Sequence, residues 1–145
     1  MNPFKTMHEK LLAYPTRRLG KGRCYDKVRE CHCATGAIAH QDGLDVNRLR
    51  TLVGEGIFTN EWVRMWAEGL GLTSWDVRMV QGINDNVFQA DDPGARYAHM
   101  LATLKALGDL DEEGLKGVRT AYVTNFDGTA KGHAEALARI MEKIR

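Results

Sequence analysis

The sequence predicts an all-α fold: a single compact bundle of seven or eight short helices, with a small-residue helix over about residues 26–40 at its centre. Three observations predict it. Apolar residues recur at helical spacing, as in Tyr97, Met100, Leu101, Leu104 and Leu107. One start signal repeats at four places: an apolar residue, then Asp or Thr as cap, then a second apolar residue that closes over the cap. Convincing period-two alternation is absent, so no sheet is expected beyond a short strand pair.

In chain order, Phe4, Met7 and Leu11 lie on one face of a helix from Pro3 to Tyr14, which Pro15 stops. Thr16 to Arg23 is glycine-rich and basic and reads as an exposed loop. The small-residue helix follows, closed by the turn Gln41-Asp42-Gly43. Asp45 caps the next helix, with Leu44 stapled to Leu49, and Gly54 and Gly56 end it. Thr59 caps another, with Phe58 against Val63, ending at Gly69 and Gly71. Thr73 and Asp76 form a capping box, with Leu72 against Val77. Asp92-Pro93 starts a helix with proline where its missing N–H costs nothing, and Gly108 ends it. Asp111 caps the next, with Leu110 against Leu115; Ala121 to Thr124 reads as its tail rather than as a strand. Thr129 opens the last helix, with Ala134, Leu137, Ile140, Met141 and Ile144 on one face and Lys143 and Arg145 at the end that favours cations.

At 145 residues the chain fits one domain, 1–145, large enough to bury a core without staples. A net charge of +1 argues against charge-driven nucleic-acid binding, although Arg17, Arg18, Lys21 and Arg23 form a local basic cluster. The three cysteines follow no secretory signal, and no apolar run is long enough to span a membrane. A reducing cytoplasm is the expected location, with no membrane partner and no cofactor.

All three cysteines fall in Arg23 to His40. On a helix starting at Asp26, Cys31 shares a face with Val28, Thr35 and Ile38, whereas Cys33 shares one with Gly36, Ala37 and His40. The thiols then diverge, and Cys33 and His40 stand roughly 10 Å apart along the axis. That is too far for one zinc, so no metal site is expected. Two small-residue faces instead suit a helix in the middle of a bundle, with the cysteines as small buried hydrophobes. The alternative starts the helix at Cys33 and makes its thiol a nucleophile, activated by the helix N-terminus. His99 or His133 would then be the base, and Asn84, Asp85, Asn125 or Asp127 the orienting group.

Cys33-Ala34-Thr35-Gly36-Ala37-Ile38 and Ile83-Asn84-Asp85 together resemble a family of small uncharacterised proteins from bacteria and their phages. These carry a Cys-x-x-Gly-Ala helix and a later Asn-Asp turn leading into a further helix. The resemblance implies a small cytoplasmic, phage-encoded accessory protein. By themselves, Asn84 and Asp85 read as a turn or polar site.

Function is accordingly expected to be protein binding, as an accessory or inhibitor protein acting on a host or defence protein, or self-association. Trp62, Trp66 and Trp75 supply the expected anchors, at least one of them exposed. A cysteine-dependent enzyme using Cys33 is the alternative, and a nucleic-acid-binding module using the basic loop is a second.

Overall fold

The structure, a computed structural model, describes residues 2–21, 25–26, 31–44, 61–88 and 90–145. Among them are seven α-helices and one antiparallel strand pair. Helix α1 spans Pro3–Leu12, and strands β1 (Tyr25–Asp26) and β2 (Cys31–His32) follow. Helices α2 (Ala34–Gln41), α3 (Glu61–Gly69) and α4 (Ser74–Gly82) come next, and α4 runs on into a π-helical turn, Ile83–Val87. Helices α5 (Pro93–Gly108), α6 (Glu112–Asn125) and α7 (Ala130–Lys143) complete the chain. None of the described helices is long and apolar enough to cross a membrane.

The expected caps are in place wherever their residues are described. Thr73 and Asp76 make both bonds of the capping box. Asp92, Asp111 and Thr129 each accept from the backbone N–H three residues on. The caps assigned to Asp45 and Thr59, and the helix between them, lie outside the described residues.

The central helix is shorter than predicted. It runs from Ala34 to Gln41, not from about 26, because the preceding backbone groups are taken elsewhere. Tyr25 pairs with His32 and Asp26 with Cys31 across the strand ladder. The His32 carbonyl accepts from Gly20 N–H, and the His32 N–H donates to the Tyr14 hydroxyl. Its place in the fold is as predicted: Ala34 through Ala39 are all buried.

Helices α1 and α5 pack closely. A Cβ on Gly108 would stand 2.9 Å from the Lys5 backbone, so only glycine fits there. Asn2 caps α1 and also donates to the carbonyls of Leu107 and Leu110, while the Tyr97 hydroxyl donates to Leu11 O. Helices α6 and α7 form a second pair, and α4 with its π turn touches α2, α3, α6 and α7. Buried Asp76 fixes α4 to α6 by accepting two bonds from one edge of the Arg119 guanidinium, from Nε at 2.9 Å and Nη2 at 2.8 Å. The buried face of α7 is Gly132, Ala136, Leu137 and Ile140; Ala134, assigned to that face from the sequence, is exposed.

Candidate functional site

The Cys33 helix and the Asn84-Asp85 turn, fifty positions apart in the chain, meet in the fold. Cys33 is the N-cap of α2 with extended backbone, and its Sγ accepts from Gly36 N–H at 3.3 Å. The same thiol donates to Gln81 Oε1 at 3.4 Å. Gln81 in turn donates to Asp85 Oδ2 at 2.9 Å. Asn84 is fully buried: its Oδ1 accepts from Ala34 N–H, and its Nδ2 donates to Gly20 O and Asp85 Oδ1. The π turn is held from its other side by Arg96, which is 1% exposed. Arg96 donates to the carbonyls of Asn84, Phe88 and Ala90, and its guanidinium lies 5.4 Å from the Phe88 ring centre. Junctions of this kind satisfy backbone groups that a helix start and a π turn leave open. Cys33 has no exposed surface at all.

The predicted bases are not brought to Cys33. His99 stacks on Phe88, with ring centres 5.4 Å apart, and its Nε2 is enclosed without a partner. His133 Nε2 bonds the Tyr122 hydroxyl at 2.8 Å. Burial lowers the pKa of both, helped by Arg96 at His99 and by Arg78 at His133. Asn125 turns back to Ala121 O, and Asp127 accepts from Thr129. The histidine beside the cysteine is His32. Its backbone N–H donates to the Tyr14 hydroxyl, and its Nδ1 shares a hydrogen bond with the same hydroxyl at 2.7 Å. Burial, with a smaller push from His40 stacked at 4.7 Å, lowers His32 to about 4. Among the described residues, no three His, Cys, Asp or Glu side chains are placed to hold a metal ion.

In the basic loop, Arg17, Arg18 and Lys21 are exposed, while Arg23 lies outside the described residues. Arg17 adopts a left-handed φ of 52°, and Leu19 between the cations is buried, its N–H on Pro93 O. Of the tryptophans, Trp66 is half-buried and its Nε1 donates to Asp42 Oδ2, the carboxylate that also pairs with Lys10. The side chain of Trp62 lies outside the described residues.

Trp75 is different. It is 39% exposed, yet its ring is fixed by edge-on contacts with Tyr122 at 6.1 Å and Phe126 at 5.6 Å. Phe126 stacks on Tyr122, and His133 closes the cluster edge-on to both. Burial raises the Tyr122 hydroxyl to about 12, so it stays a neutral partner for His133. Val123, beside Tyr122 in the chain, is 42% exposed. Arg78, one turn along α4 from Trp75, lies over the Trp75 and Phe126 rings. The result is an aromatic face with one side in the core and the other in solvent. Sequence reading found Trp75 but missed Arg78, Val123 and Phe126. The i, i+3 spacing of Trp75 with Arg78 and of Val123 with Phe126 was the available signal. That Phe126 meets Trp75 and Arg78 follows only from the crossing of α4 with α6.

Compared with known proteins, the chain matches no family model, and no curated protein or solved structure is similar to it.

Proposed function

We propose that the protein acts by binding another protein through the face made by Trp75, Arg78 and Phe126, in the manner of an accessory or inhibitor protein. The observation that carries this reading is Trp75: a tryptophan held rigid by its neighbours, with more than a third of its surface in water. Covering that surface removes apolar area from solvent, and little side-chain entropy remains to be lost because the ring is already positioned. Tryptophan, tyrosine and arginine are the residues most enriched at binding hot spots. The test immobilises wild type and Trp75→Ala side by side in an extract of the cells that make the protein, then purifies and titrates whatever wild type alone retains. The purified partner should bind Trp75→Ala at least ~30-fold more weakly, about 2 kcal/mol, with an unchanged urea midpoint. A partner indifferent to Trp75, or none at all, contradicts the reading.

A second reading, a cysteine-dependent enzyme, draws its support from Cys33 alone, which sits at a helix start with the Gly36 N–H on its sulfur. It requires the junction to open, because the thiol is fully enclosed. A thiol reagent applied to native protein distinguishes the two. Labelling at the rate of a free thiol, with an acid-shifted pH profile, favours the enzyme. Labelling that proceeds only as fast as unfolding favours a structural Cys33.

A further inference from the structure

Arg78 stands over the aromatic face with its guanidinium 5.8 Å from the Trp75 ring centre and 5.5 Å from that of Phe126. Among the described residues no carboxylate pairs with it; the ion pairs there join Lys10 to Asp42, Lys105 to Asp109 and Arg119 to Asp76. The two acids nearest in the chain to these residues are otherwise engaged. Asp76 is shared by Arg119 and the Thr73 N–H, and Asp127 by the N–H and hydroxyl of Thr129. The rings orient the planar fork, while its N–H donors make no hydrogen bond within the described residues. Its charge is felt nearby: with burial, it lowers the pKa of His133.

We infer that the occupant of this face is a peptide segment in which an Asp or Glu lies beside an apolar side chain, the carboxylate gripped by Arg78 and the apolar group laid on Trp75. The inference rests on the protein-binding reading above and names the partner's chemistry. A guanidinium already oriented by two rings binds a carboxylate bidentately, and covering Trp75 shields that pair from water. A phosphate would satisfy the same fork. A chain of net charge +1, however, has little field with which to gather a nucleic acid.

The test selects a random peptide library on the wild-type protein, with counter-selection on Trp75→Ala. Selected peptides should be enriched in Asp or Glu next to an apolar residue. Synthetic copies should bind Arg78→Glu at least ~30-fold more weakly, and changing the peptide acid to Lys should restore binding to that variant. Should Arg78→Glu fail to fold, Arg78→Gln carries the same comparison. Peptides that depend on Trp75 but lack an acid, and that bind the Arg78 variant as tightly as wild type, overturn the carboxylate and leave the protein-binding face standing. A library that yields nothing dependent on Trp75, or an Arg78-dependent complex with a fluorescent single-stranded oligonucleotide, overturns both.

Discussion

Arg96 carries its charge in the core with backbone carbonyls, not a carboxylate, as its partners. Removing it uncovers three buried or part-buried acceptors at once, each worth about 1–3 kcal/mol when left unpaired. Arg96→Met should therefore cost roughly 3 kcal/mol or more in urea unfolding, and Arg96→Lys should recover little, since an ammonium lacks the planar fork. A loss below about 1 kcal/mol would mean that the π turn holds without it. His32 makes a pH prediction. Its pKa is about 4 in the folded chain against an ordinary 6.5. Between those values the unfolded chain takes up a proton that the folded one refuses. Stability is thus fully present above about pH 6.5 and is lost as the pH falls toward 4, by up to ~1.4 kcal/mol per unit for one such group. The lowered values of His99 and His133 act in the same sense. His32→Gln should flatten the pH dependence of the unfolding free energy relative to wild type; equal slopes would contradict it.

Among the elements, α4 with its π turn is the hub, and one glycine sets how closely α7 approaches it. A Cβ on Gly82 would lie 2.7 Å from His133 Nε2. Gly82→Ala must push the imidazole away from the Tyr122 hydroxyl, an overpacking cost of ~1–3 kcal/mol. In the background of His133→Ala the same substitution should cost much less, a coupling that a double-mutant cycle reads directly; additive losses would place the strain elsewhere. The helix starts at Thr73, Asp92, Asp111 and Thr129 were legible in the sequence because a cap is a contact between residues three apart. The start of α2 was legible only as one of two alternatives, about residue 26 or Cys33, and the second is the one formed. Tyr14, Gly20 and Asn84 decide it, and they are distant in the chain from the His32 and Ala34 groups they engage. The same holds for the candidate sites. Cys33, Asn84 and Asp85 were singled out from their residue types, but their junction through Gln81 is a tertiary contact. His99 and His133 were chosen as bases by type alone, and packing gave them aromatic partners instead.

For the molecule as a whole, the proposed role requires a partner to cover the α4–α6 aromatic face and to leave the buried Cys33 junction and the basic loop untouched. A partly exposed, fixed tryptophan with a guanidinium over its ring is the feature on which the proposed binding role rests. The most direct measurement is hydrogen exchange on the free protein and on its complex with the purified partner. Protection on binding should be concentrated in Ser74–Gly82 and in residues 122–126, with exchange at Ala34–Gln41 and in residues 16–21 unchanged. Protection confined to residues 16–21, or spread evenly over the chain with none added at α4 and the end of α6, would contradict the account.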